Sequence, residues 1–276
     1  MYSLVAFKEI IFDVLELTGV NIVAEVGVGE GLFSRALCKW SEGRDVRLHL
    51  IDRQIPSEFR EHVALYGPRV RLHAGHSLSV LGNILPCDAV ILDGDHNYYT
   101  VHRELLAVIE ASASQSCIIF VHDVGWPCGR RDFYFAPEDI PEVALHPFVN
   151  VPFPDESSCF HHVWNAAQRS IGMASHGGGK RNGVLTAIED VMEAYSGWSL
   201  RIVPCVYGLG IMYKARSEHS SELDRYFRPL HNNLLLSRLE RERVRALMRA
   251  QNLPAPVENV VVPDENFYWS DEREDL

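Results

Sequence analysis

No stretch of this 276-residue chain is apolar for the roughly 18–20 residues that a membrane span requires, so a membrane partner is not expected. Cysteine is sparse. Cys38, Cys87, Cys117, Cys128, Cys159 and Cys205 are scattered without a CxxC pair, which argues against a zinc ribbon or a disulfide framework and reads as reduced thiols of a cytoplasmic protein. Positive charge is in deficit, with 26 Lys and Arg against 37 Asp and Glu and a net charge of −11. A phosphate-binding face needs the opposite balance, so nucleic acid is not the expected partner. The opening MYSLVAFKEIIFDVLEL has Lys8, Glu9, Asp13 and Glu16 spread through it, a pattern unlike a signal peptide. There is no internal repeat. At 47% hydrophobic and 23% charged residues, wholesale disorder is excluded as well.

What is present is an alternation of short apolar runs with helical periodicity. Leu4, Phe7, Ile10, Ile11, Val14 and Leu15 predict an amphipathic helix over about residues 3–18. Strands are predicted at 21–26, 46–52, 69–75, 88–93 and 117–123, with helices following the first and fourth, over 32–40 and 100–111. Strands apolar on both faces and alternating with helices imply an α/β fold: a doubly wound, mostly parallel sheet covered on both sides. The rhythm breaks over 125–182, read as a lid inserted into the domain, with Gly177 to Gly179 as its hinge. It resumes with a helix at 183–196 and strands at 199–205 and 209–214, which form an antiparallel hairpin. Residues 1–216 thus form the main domain. Residues 217–276 form a helical arm, its longer helix starting at Pro229, and a tail in which six acids from Asp264 onward stand against one arginine.

Between the first strand and its helix lies Glu25-Val-Gly27-Val-Gly29-Glu-Gly31. Glycines suit a sharp turn whose backbone approaches a ligand, and the helix N-terminus beside it offers free N–H groups. A dinucleotide fingerprint would place its third glycine at position 32, where Leu32 stands, so a nicotinamide cofactor is disfavoured. A carboxylate two residues before the first glycine suits a ligand with a cationic amino-acid head. Asp52, ending the second strand, is placed for a ribose diol. The pattern resembles the class I S-adenosylmethionine-dependent methyltransferases, whose first motif is E/DxGxGxG and whose second strand ends in an acid. The resemblance covers residues 20–124 and 183–214. It implies that Gly27, Gly29 and Gly31 line S-adenosylmethionine, that Glu25 lies under its amino-acid end, that Asp52 binds its ribose, and that Ser77 lies against its adenine.

Two further strand ends are polar: Asp93-Gly-Asp95-His96 and His122-Asp123. In open parallel sheets, ligands bind beyond the carboxyl ends of the strands. Asp93, His122 and Asp123 are therefore candidate ligands of a divalent metal, and their mainly oxygen donors favour Mg²⁺ or Mn²⁺. A metal would lower the pKa of an alcohol or phenol acceptor, and His96, with an ordinary pKa near ~6.5, is the candidate base. Asp95 and Asn97 serve equally well as helix caps. DGDHNYYTVHRELL with the later His-Asp pair resembles a DGDH-motif methyltransferase subfamily, metal-dependent sugar O-methyltransferases of macrolide pathways, and the cephalosporin-hydroxylase family. In those relatives the later pair is usually Glu-Asp, which leaves His122 as either ligand or substrate partner.

Past Asp123, Trp126, Arg130, Arg131 and Tyr134 are candidate substrate-binding residues, the arginines as a clamp for an acidic group and the aromatics as stacking surfaces. The alternative for the arginines is pairing with Asp132, Glu138 or Asp139 to hold the lid. The five arginines between Arg238 and Arg249 predict an arm that packs on a second subunit, giving a homodimer, or on its own lid. The expected activity is metal-assisted O-methyl transfer to a small hydroxylated molecule, a natural-product or sugar intermediate. N-methyl or non-methyl transfer on the same fold, or S-adenosylmethionine binding without catalysis, are the alternatives.

Overall fold

The apolar runs are strands, and their pairing order sets where the polar ends meet. In the computed structural model, which describes residues 3–113, 115–152 and 170–250, ten strands and eight α-helices are seen. The strands are β1 (Ile22–Val26), β2 (Arg47–Asp52), β3 (Val70–Ala74), β4 (Ala89–Leu92), β5 (Ile118–His122), β6 (Phe133–Tyr134), β7 (Phe148–Pro152), β8 (Ser170–Ala174), β9 (Trp198–Val203) and β10 (Leu209–Lys214). The helices are α1 (Lys8–Leu17), α2 (Leu32–Ser41), α3 (Ser57–Ala64), α4 (Ser77–Ile84), α5 (Tyr98–Ala111), α6 (Val184–Ala194), α7 (Ser220–Phe227) and α8 (Leu234–Ala250).

Seven strands form one sheet in the order β3-β2-β1-β4-β5-β10-β9, parallel through β5 and closed by the antiparallel β10–β9 hairpin. This is the Rossmann-like, doubly wound architecture the alternation predicts. Its strands bury both faces by the period-two rule. In β5, Ile118 and Phe120 join a core with α1, α2, α3 and α7, while Ile119 and Val121 join the opposite core with α5 and α6. Leu223 and Phe227 of α7 enter the first of these cores, the partly buried Leu236 of α8 packs against it, and Val244 of α8 is buried. Leu234, Leu235 and Leu239 of α8 are exposed.

Two regions depart from the expectation. The insertion is built: β6, β8 and β7 form a second, antiparallel sheet in that order. The expected hinge is fastened, since Gly178 N–H donates to the Arg130 carbonyl at 2.6 Å and the Asn182 side chain donates to the carbonyls of His176 and Gly178. The long helix begins at Leu234, not at Pro229. Asn233 caps it, its Oδ1 accepting the N–H groups of Leu235 (2.9 Å) and Leu236 (3.1 Å). His161, His162, Cys159 and the acidic tail lie outside the described residues.

Candidate active site

Register brings the motif residues together. Val26 pairs with Leu92, and Leu92 with Val121, so the next residues, Gly27, Asp93 and His122, leave the sheet side by side. Gly27 has φ +97°, and a Cβ there would stand 2.1 Å from the Asp93 carbonyl oxygen. Only glycine permits that contact between the loop and the end of β4. Gly29 and Gly31 continue the turn into α2. Asp52 is half-exposed beside it, its Oδ2 accepting the Gly29 N–H at 2.9 Å and its Oδ1 the Gln54 N–H at 2.8 Å.

Glu25 is 1% exposed. Its Oε1 accepts the Ser34 hydroxyl at 2.8 Å, while Oε2 is buried with no hydrogen-bond partner among the described residues. Burial pushes its carboxyl up to about 8, the Ser34 bond opposing and the charges of Asp93 and Asp52 adding to the rise. An unpartnered buried oxygen at a strand end awaits a donor. Ser77 is the first residue of α4, and the buried Glu104 of α5 has neither carboxyl oxygen hydrogen-bonded among the described residues. Burial pushes Glu104 up to about 8, with Ser77 opposing. The sequence reading passed over Glu104, although an acid between Val101, Leu105 and Val108 in the apolar stripe of α5 is the signal that marks it.

His122, Asp123 and His96 form one buried cluster with the partly exposed Asp93. His122 Nδ1 lies 3.0 Å from Asp93 Oδ1 and 3.0 Å from Asp123 Oδ2, and its Nε2 lies 3.1 Å from the Val206 carbonyl. A carbonyl only accepts, so Nε2 carries the ring hydrogen and donates it there. Nδ1 is left facing both carboxylates. His96 Nδ1 lies 2.7 Å from Asp123 Oδ2. Burial disfavours charge on both rings. The carboxylates outweigh it, Asp123 foremost, so both imidazoles are raised, His122 well above its ordinary value. Burial opposes ionisation of Asp123, but the two histidines hold it well below the usual carboxylate range. Cys128 places its buried thiol in the same cluster, within 4.8 Å of donor atoms of His96 and Asp123. Nothing in its sequence surroundings marks it.

Asp95 and Asn97 do the work of caps. Asn97 Oδ1 accepts the Thr100 N–H at 2.9 Å, and Asp95 accepts the Thr100 hydroxyl and the His96 N–H. The insertion docks directly on this segment. Phe133 N–H donates to the His96 carbonyl at 3.0 Å, and Phe135, half-exposed, sets its ring 5.1 Å from the His96 ring. Asp132, fully buried, accepts the N–H groups of Tyr98 (2.7 Å) and Gly183 (2.6 Å) and the Tyr134 hydroxyl (3.0 Å).

Of the residues expected to meet substrate, Trp126 is half-buried three positions past Asp123. Arg131 is half-buried, with Nη1 3.5 Å from the Met173 sulfur. Two are placed otherwise. Arg130 reaches Thr186 and a two-pronged ion pair with Glu189 on α6, so it ties the insertion to the domain. Tyr134 is 1% exposed, its hydroxyl spent between Asp132 and the His146 N–H. Asp139, proposed as a partner of those arginines, instead meets Arg53, next to Asp52, at 2.7 Å.

Residues 24–124 match the family model described as "Methyltransferase domain". That stretch, about a third of the chain, is similar to a methyltransferase domain. It holds the glycine loop, Asp52, Asp93, His96, His122 and Asp123, and it ends where the insertion begins. Solved structures similar to the chain include the O-methyltransferase TomG from Streptomyces achromogenes, in complex with SAM. It is 16% identical over 75% of this chain and 78% of that one, with a TM-score of 0.45. An SAH-bound methyltransferase from Podospora anserina is also 16% identical, over 74% and 76%, with a TM-score of 0.45. A Burkholderia thailandensis N1-methyltransferase is 11% identical over 77% of each chain, with a TM-score of 0.39. No curated protein matches the sequence. Among the described residues, no helix is long and apolar enough to cross a membrane.

Proposed function

We propose that the chain is a metal-assisted, S-adenosylmethionine-dependent O-methyltransferase acting on a small hydroxylated molecule, such as a natural-product or sugar intermediate. The observation that carries this reading is the abutment of Gly27 on the Asp93 backbone. It puts the cofactor-type loop and the acid–histidine cluster on the same lip of the sheet. Glu25 fits the cofactor's ammonium group: its buried Oε2 gains a donor, and the cation stabilises the carboxylate that burial disfavours. Asp52 Oδ1 and Oδ2 each accept one backbone N–H and retain lone pairs for a diol.

The donor set also fits a hard divalent ion. Asp93, His122 and Asp123 present two carboxylate oxygens and a ring nitrogen, with the nitrogen 3.0 Å from each oxygen. Adjacent corners of an octahedron with bonds of ~2.1 Å are about 3.0 Å apart. His122 Nε2 donates to a backbone carbonyl, the usual second contact of a metal-binding imidazole. When bound, such an ion lowers the acceptor hydroxyl's pKa and offsets the negative charge of the two carboxylates. Asp93, His122 and Asp123 would hold it.

The remaining work belongs to the protein. S-adenosylmethionine brings a methyl group on a positively charged sulfur, so what is needed is alignment and a place for the hydroxyl proton. Asp123 fixes the His96 ring through Nδ1, leaving Nε2 as the proton acceptor. The insertion is fastened to the His96 carbonyl through Phe133 and sets the Phe135 ring 5.1 Å from the His96 ring. The test is methyl transfer from labelled S-adenosylmethionine to a panel of small phenols, catechols and sugars, with and without Mg²⁺. Transfer that survives complete chelation would favour a nitrogen acceptor. Absence of S-adenosylmethionine binding would remove the reading altogether.

A further inference from the structure

We propose that Glu240, on the helix that follows the matched domain, is a positioning residue for His122. Its catalytic consequence rests on the reading above; its structural content does not. The connection between β9 and β10 turns through Val206 (φ +47°) and Tyr207 (φ +65°), both in the left-handed region. Neither is glycine and valine is β-branched, so this conformation is costly unless something outside the turn holds it.

Glu240 holds it. Its Oε2 accepts the Val206 N–H and its Oε1 the Tyr207 N–H, each at 2.8 Å. Two consecutive N–H groups pointing the same way form an anion-binding nest, and the carboxylate fills it. Arg243, one turn further along α8, donates to the same carboxylate at 2.7 and 2.8 Å and lies 4.4 Å over the Tyr207 ring. The other side of the turn faces the cluster. The Val206 carbonyl takes the His122 Nε2–H at 3.1 Å, the Tyr207 carbonyl takes the Gly125 N–H at 2.6 Å, and the Gly208 carbonyl takes the Val124 N–H at 3.4 Å.

Glu240 thus clamps the turn from outside while the turn braces the chain from His122 to Gly125. The Val206 carbonyl keeps the ring hydrogen on Nε2 and turns Nδ1 toward Asp93 and Asp123. Removing the carboxylate orphans two N–H groups and releases Val206 toward its preferred extended conformation, which swings its carbonyl off His122. The α8 helix is therefore part of the site's framework, a role beyond the two expected of the arm, packing on a second subunit or on its own lid.

The test compares full-length wild type with Glu240→Ala and Glu240→Gln, and with Glu242→Ala, an exposed neighbour paired to Arg245, as control. The His122 Nε2–H resonance, assigned with ¹⁵N-histidine labelling, should be protected from exchange in wild type and in the control. It should be lost in Glu240→Ala and weakened in Glu240→Gln, which keeps one acceptor oxygen. Turnover should fall roughly 10- to 100-fold in Glu240→Ala, the scale of a misplaced reacting group, with S-adenosylmethionine affinity nearly unchanged. A resonance unaltered in Glu240→Ala overturns the proposal, and so does equal loss of affinity and turnover. If Glu240→Ala does not fold, the near-isosteric Glu240→Gln decides by the same resonance. Wild type that neither binds the cofactor nor transfers methyl defeats the functional reading alone, and the resonance still judges Glu240.

Discussion

His96 Nδ1 points at Asp123 Oδ2 across 2.7 Å, while Nε2 of the same ring makes no hydrogen bond among the described residues. One nitrogen is anchored and the other is free to take a proton. Replacing His96 by alanine should lower kcat by roughly 10²–10⁴-fold, the usual contribution of a positioned base. S-adenosylmethionine affinity, measured by calorimetry, should hold. Full turnover in this variant would remove His96 from the chemistry.

Chelation offers a second check. EDTA should abolish turnover, and Mg²⁺ or Mn²⁺ should restore it. Asp93→Asn should raise the metal concentration needed for half-maximal activity, because it removes one of two anionic oxygens. Activity indifferent to both treatments would take the ion out of the scheme.

Glu25 and Glu104 supply a pH signature. Burial lifts both carboxyls to about 8 from an ordinary 4.5. The native state keeps protons that the unfolded chain sheds, so stability is greatest below the unfolded value. It falls as pH rises from about 4.5 to about 8, then levels off. Glu25→Gln removes one of these groups. The apo protein should gain stability on the order of a few kcal/mol at pH 8, with a flatter dependence of Tm on pH. The same change should weaken S-adenosylmethionine binding by roughly tenfold or more, through loss of a charge-assisted bond. Unchanged cofactor affinity would show that Glu25 faces something else.

Asp132 is a structural hinge-pin with catalytic reach. Asp132→Ala strands the N–H groups of Tyr98 and Gly183 and the Tyr134 hydroxyl, each orphan costing about 1–3 kcal/mol. Chemical denaturation should show a loss of about 3 kcal/mol or more. Turnover should drop further than cofactor affinity, since Tyr98 opens the helix directly after His96. A variant as stable as wild type would refute the network's importance.

The parts of the fold readable in the sequence were those whose burial is two-sided. β5 is apolar at every position but its last, and β10, read at 209–214, falls at those residues. α3 and α4 went unread because each has only eight residues, α3 burying just Phe59 and Val63 and α4 carrying Gly82. The insertion's strands were hidden because β6 is two residues long and its partner β8 lies far along the chain. At the site, motif spacing puts Gly27, Asp93, His96, His122 and Asp123 at or just past strand ends, and register then brings those ends together. Spacing does not reveal the partners of Arg130 and Tyr134, Glu189 and His146, which are visible only after folding. Proline suits a helix's first turn, which points to a start at Pro229, but the Asn233 side chain captures two N–H groups and sets the boundary there.

The turn at Val206 and Tyr207 bears on how the protein comes into being. A nascent chain emerging from the ribosome presents the glycine loop, Asp93 and Asp123 long before it presents the carbonyl that receives His122. The clamp on that turn arrives later still, with residue 240. On the proposed function, fragments ending short of α8 should be inert however well their first half folds.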